Sequence, residues 1–198
     1  MKYPSFTKHC NEADIIKDSD GKAIGTILDY WKWAHSDLMD NAERGAFAEY
    51  LVACVVGGKA QKRINWNSYD LLSKEGITIE VKTSAYLQTW GQDKLSNIQF
   101  NIPETLGYDR ENNTYEHEKK RQAQIYVFCI HNAVHQSLID PLDMSQWDFY
   151  VIATKTINES VKYAKAKTIV LNSLVKLGAI KCSYGDLHAT VVKTFINI

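Results

Sequence analysis

The 198-residue sequence has few backbone punctuators: three prolines and ten glycines exclude a collagen-like or low-complexity chain. Its four cysteines, Cys10, Cys54, Cys129 and Cys182, are widely spaced and form no C-x-x-C pair, so a zinc site has no support. Neither charge sign is in excess. Lys plus Arg and Asp plus Glu each number 23, and overall composition therefore does not mark a polyanion binder. Long apolar runs are also missing. The longest, Ala46–Gly58, is too short to span a bilayer and carries Glu49. The opening Met1-Lys2-Tyr3-Pro4-Ser5 lacks the apolar core of a signal peptide. These absences predict a soluble, cytoplasmic protein in a reducing compartment, with no membrane partner.

Hydrophobic residues make up 45% of the chain, aromatic residues 11% (five Trp and eleven Tyr among them) and charged residues 23%. That composition suits one globular domain over residues 1–198 and argues against disorder. Charge is unevenly distributed. Residues 1–50 hold six bases and nine acids, residues 51–150 ten and twelve, and residues 151–198 seven and two. The last quarter thus offers either a basic surface for a polyanion or a solvated lysine-rich helix face.

The pattern predicts a mixed α/β order, with a core over about 40–154 and a C-terminal helical segment over about 155–198. Asp18-Ser19-Asp20-Gly21 reads as a turn, and Tyr30 to His35 as a short helix. Asp40 or Asn41 caps a helix running to about Val56, stopped by Gly57-Gly58. Tyr69–Leu72 and Ile77–Ser84 read as a hairpin turning at Ser73-Lys74-Glu75-Gly76. Residues 85–97 read as loop, Ile98–Ile102 as a strand and residues 103–117 as turn-rich. Glu116–Gln122 reads as a short charged helix. Ile125–Ile130 is continuously apolar, as in a strand buried on both faces, and Trp147–Ala153 is a further strand. Leu171–Leu177 and Asp186–Phe195 read as closing helices, and Cys54 and Cys129 as buried thiols.

Chemistry concentrates on Glu49, Asp70, Glu80 and Lys82. Strict alternation in Ile77-Thr78-Ile79-Glu80-Val81-Lys82-Thr83-Ser84 puts Glu80, Lys82 and Ser84 on one face. Taken alone, an E-x-K triplet is most often a surface ion pair on a half-exposed sheet face. Asp70 adds to it: a hairpin centred on Glu75 pairs residue 70 with residue 80, and two opposed carboxylates repel. Lys82 is one compensation, and a divalent cation is another. Glu49 lies in a mostly apolar helix, where a carboxylate is paired with Lys82 or Arg44, half-exposed, protonated, or bound to metal. Carboxylate oxygens select hard cations such as Mg²⁺ or Mn²⁺, which also accept phosphate oxygens and water.

Asp70, the Glu80-Val81-Lys82 triplet after a nine-residue gap, and upstream Arg44-Gly45 with Glu49 on a helix together resemble the PD-(D/E)XK nuclease superfamily. Ser68-Tyr69 stand where the superfamily's motif has a proline before the aspartate. The resemblance covers roughly residues 40–130 and implies a restriction-endonuclease-like core, a central mixed β-sheet flanked by helices. It implies a Mg²⁺- or Mn²⁺-dependent enzyme hydrolysing phosphodiester bonds, an endonuclease on DNA, with RNA left open, in restriction, repair or defence. Asp70 and Glu80 would ligate the metal, Glu49 would support it directly or through water, and Lys82 would act at the attacking water or the phosphate. Cutting a duplex would call for a homodimer or a protein partner.

Further contacts are expected from Ser84 on the Lys82 face and from Gln88, Trp90 and Gln92 just after the strand. Lys59, Lys62 and Arg63 form a basic patch suited to backbone phosphates. Each of these also fits loop packing or surface solvation. His131 and His135 have no ligand spacing and receive no role. Two other readings stay open: an inert relative that binds nucleic acid or protein, and an unrelated α/β protein whose acids and Lys82 form a structural ion-pair network.

Overall fold

A computed structural model describes residues 6–58, 63, 68–109 and 112–198. The chain separates into two compact units, Met1–Leu38 and Met39–Ile198. In the first, β1 (Ile15–Lys17) and β2 (Ala23–Thr26) pair antiparallel across the expected turn. There the Asp18 carboxylate accepts the Lys22 N–H at 2.8 Å and the Asp20 N–H at 3.0 Å. Helix α1 (Ile27–Ala34) begins three residues before the expected Tyr30. Thr26 and Asp29 form a reciprocal capping box that fixes its start.

The second unit is built on a mixed sheet. Helix α2 (Asn41–Val56) has the expected bounds: the Asp40 carboxylate accepts the Ala42 N–H at 2.9 Å, and Gly57 ends the helix at φ 79°. The hairpin strands are β3 (Leu71–Leu72) and β4 (Thr78–Ala85). They are followed by β5 (Gln99–Asn101), β6 (Thr105–Asp109), β7 (Thr114–Lys120), β8 (Ile125–His131) and β9 (Trp147–Ala153). Helix α3 (Thr154–Glu159), β10 (Thr168–Val170), α4 (Leu171–Lys176), β11 (Ile180–Cys182) and α5 (Leu187–Ile196) complete it. The five-stranded sheet runs β11-β9-β8-β4-β3, with β4 and β8 parallel and every other neighbour antiparallel.

Alternation on these strands makes two cores. Ile79, Val81, Val127 and Val151 pack under α2 and α5, where Ala48, Val52 and Val56 form an i, i+4 stripe. Tyr126, Phe128, Ile130 and Ile152 face the other way, against Phe100, Ile157, Ile169 and Leu174. All seven β8 residues are therefore buried, as the continuous apolar run requires. Glu80 and Lys82 stand on this second face, in register beside Tyr126 and Phe128.

Several expectations are corrected. The segment read as turn-rich and then as a charged helix, Glu116–Gln122, is instead the β6–β7 hairpin. Every β7 residue is exposed and lacks the apolar alternation that marks a strand; pairing with β6 holds it. The strand expected over Tyr69–Leu72 contracts to two residues, leaving Asp70 just outside it. Cys54 is half-buried rather than buried, while Cys129 is fully buried. Two short strands, β10 and β11, interleave with the expected C-terminal helices and pair with β5 and β9.

Candidate active site

The β3–β4 register is the one the turn arithmetic gives: Leu71 faces Ile79 and Leu72 faces Thr78. One step further lie Asp70 and Glu80. The Asp70 N–H donates to the Ile79 carbonyl at 3.1 Å, and Asp70 Oδ2 accepts the Val81 N–H at 2.7 Å. With β3 ended, the aspartate side chain supplies the acceptor that a longer strand would have offered to Val81. On the next outward position, Lys82 Nζ contacts Glu80 Oε1 at 2.5 Å.

Asp70, Glu80 and Lys82 line one cleft of about 380 Å³, together with Ser68, Tyr108 and Tyr115. Burial, then the neighbouring Glu80 charge, pushes the Asp70 carboxyl up to about 7. Lys82 and the Val81 N–H act against that rise, and Glu49 adds to it. Burial raises the Tyr126 phenol on the cleft wall as well, with Glu80 as the next cause.

Glu49 is near enough for its charge to act on Asp70, yet its carboxylate does not line the cleft. Neither expected partner holds it. Arg63 does, through Nε at 2.5 Å and Nη2 at 2.9 Å, a forked ion pair that raises the guanidinium's own pKa. Arg63, expected at substrate phosphates, is thus engaged with Glu49. Arg44 is instead buried, donating to the Met39 carbonyl at 2.9 Å and to Asn41 Oδ1 at 2.5 Å. Among the described residues, no group of three or more His, Cys, Asp or Glu is gathered to hold a metal ion.

The peripheral candidates lie apart from the cleft. Ser84 is half-buried on the Lys82 face of β4 but does not line it. Gln88 donates to the Ala85 carbonyl at 2.9 Å, and Gln92 accepts the Gln88 N–H at 2.7 Å and donates to Ser96 Oγ at 2.9 Å. Both glutamines staple the loop after β4. Trp90 is exposed. Lys59 and Lys62 lie outside the described residues. His131 is buried against Trp147, their rings 5.2 Å apart.

Sequence reasoning missed the cleft's other wall. Tyr108 and Tyr115 come from the β6–β7 hairpin, and the available signal was two tyrosines flanking Asn112-Asn113, a turn dipeptide. Arg121, also on the wall, is buried with its guanidinium on four backbone carbonyls, those of Ile102, Tyr163, Ala164 and Ala166, and on Asn158 Oδ1.

Fold and site together define a mixed α/β protein with an acid–lysine cleft at the end of a two-strand hairpin. The chain belongs to the bacteriophage T4 endonuclease IV family, whose match spans residues 5–173. No curated protein matches it. No helix among the described residues is long and apolar enough to cross a membrane.

Proposed function

We propose that the protein is a Mg²⁺- or Mn²⁺-dependent endonuclease hydrolysing phosphodiester bonds in DNA, built on a restriction-endonuclease-like core. The observation that carries this reading is the shared cleft of Asp70, Glu80 and Lys82 in a chain of an endonuclease family. The donor set suits a hard cation: two carboxylates whose repulsion helps raise Asp70 are a pair that a divalent charge would relieve. Asp70 and Glu80 would hold the ion, and Glu49 would support it through water if Arg63 yields. Once bound, the ion supplies a more acidic water and neutralises charge on the phosphate.

The chain's own groups do the rest. The Val81 N–H fixes the Asp70 carboxylate against rotation. Lys82, now paired with Glu80, would place its ammonium on the attacking water or on the phosphate oxygens. A cytoplasmic setting and a homodimer or protein partner for duplex cuts belong to the same proposal.

The test is nicking of supercoiled DNA with Mg²⁺, with Mn²⁺ and with EDTA, alongside Lys82→Ala and Glu80→Ala. Cleavage that needs the cation and is lost in both folded variants supports the reading, while unchanged cleavage by Lys82→Ala rejects it. A second reading draws on the Glu80–Lys82 and Glu49–Arg63 contacts, which also suit a purely structural ion-pair network. It predicts no divalent-ion binding by calorimetry.

A further inference from the structure

The cleft has two chemically different walls. One carries Asp70, Glu80 and Lys82. The other is the β6–β7 hairpin, which bears Tyr108 and Tyr115 directly opposite each other, with ring centroids 4.9 Å apart and planes inclined by 41°. Such a cross-strand aromatic pair is ordinary on a hydrophobic sheet face. Here Tyr115 is 57% exposed on a strand exposed along its whole length, with Tyr108 half-buried beside it. An exposed tyrosine ring lining a polar cleft presents an apolar face beside the acids.

The hairpin is tied to the acids through backbone. Ser68 Oγ donates to the Tyr108 carbonyl at 3.2 Å and accepts the Tyr108 N–H at 3.2 Å. Ser68 lies two residues before Asp70, so one short segment holds both walls at a fixed spacing. The strand pairing is also re-aimed at this point. Its register shifts between Leu106 and Tyr108, where Glu116, His117 and Glu118 stand against the single Gly107.

Resting on the nuclease reading for its substrate class, we infer that Tyr115, backed by Tyr108, is the stacking platform for a nucleobase next to the phosphate held at Asp70, Glu80 and Lys82. The cleft volume of about 380 Å³ falls within the span of small-ligand pockets, so an unpaired base with its sugar and phosphate fits one such space. Every base has a π-face, so the platform ranks substrates by access to an unpaired base rather than by hydrogen-bond pattern. Tyr115 is thereby a positioning residue, setting which phosphate meets the acids.

The experiment uses the full chain and a single-stranded oligodeoxynucleotide carrying one 2-aminopurine, whose fluorescence falls when it stacks on an aromatic ring. Binding is read in EDTA and cleavage in Mg²⁺. Wild type and Tyr115→Phe should quench the probe. Tyr115→Ala and Tyr115→Leu should lose quenching and bind roughly tenfold more weakly, with KM raised and kcat little changed. Tyr115→Leu keeps an apolar cross-strand partner for Tyr108, and thermal melts check that the hairpin survives. Equal quenching and KM in all four proteins overturns the platform while leaving the nuclease reading intact. Quenching by a wild type that never cuts overturns the nuclease reading and leaves the platform standing. Failure of the wild type to bind the oligonucleotide overturns the platform.

Discussion

The Asp70 carboxylate accepts the backbone N–H of Val81 at 2.7 Å, which locks it beside the two side chains, Glu80 and Lys82, that flank Val81 on β4. This single bond links hairpin geometry to site chemistry. It satisfies a strand donor left over where β3 stops, and it holds the half-buried carboxylate beside Glu80.

Stability should therefore fall as pH rises in the metal-free protein. The Asp70 carboxyl sits at about 7 against an ordinary value of 3.8, so the folded state keeps a proton that the unfolded state has released. The contribution is fully present below the ordinary value and is lost as pH rises through about 7. Asp70→Asn keeps an acceptor for Val81 and removes the charge. In EDTA at pH 8 it should be more stable than wild type by about 1–3 kcal/mol, with the gap closing by pH 4. Thermal melts across pH 4–8 check this, and equal pH slopes in the two proteins would refute it. Millimolar Mg²⁺ should raise Tm in wild type and leave Asp70→Asn unmoved.

Glu49 and Arg63 supply a second test. Arg63 grips the carboxylate with two nitrogens, but its own side chain is 52% exposed, which screens the pair. A double-mutant cycle with Glu49→Gln and Arg63→Gln, read by urea unfolding, should give a coupling of about 1 kcal/mol that shrinks in high salt. A coupling near zero at low salt would show that the fork does not persist in solution.

The sequence carried this site unevenly. Asp70 opposite Glu80 followed from the turn at Glu75, because a short hairpin fixes register by counting. Asp40 and Gly57 bounded α2 through capping chemistry that is local to each end. The continuous apolar run of β8 marked a strand buried on both faces. Long-range choices left no such trace. Arg63 meets Glu49 from fourteen residues along the sequence, and spacing alone pointed to Lys82 or Arg44 instead. The β7 strand, Thr-Tyr-Glu-His-Glu-Lys-Lys, has no buried face and so no period of two; its charges mimic a solvated helix. The cleft's tyrosine wall was lost with it.

Arg121 should act as a keystone for the wall opposite the acids. Its planar fork bonds the Ile102 carbonyl on one side and the Tyr163, Ala164 and Ala166 carbonyls on the other, which no ammonium can reproduce. Arg121→Lys should cost about 2–4 kcal/mol by urea unfolding and loosen residues 158–167 in hydrogen exchange before the sheet opens. Uniform exchange across the chain would mean that the arginine is replaceable.

Gly107 bears on the same hairpin. An added Cβ would lie 2.8 Å from Glu116 Cδ and 2.9 Å from its Oε2, so the carboxylate must swing away and give up its bonds to the Gly107 N–H and to Gln122. Glu116 also pairs with Lys120 at 2.8 Å and can keep that contact from outside. Gly107→Ala should thus lower Tm by about 2–4 °C rather than unfold the chain. Glu116→Ala removes the obstacle, so the double variant should lose less than the two single losses combined. If instead the losses simply add, the tight approach of Gly107 to Glu116 is not what shapes the hairpin. The register shift beside Tyr108 would then need another cause.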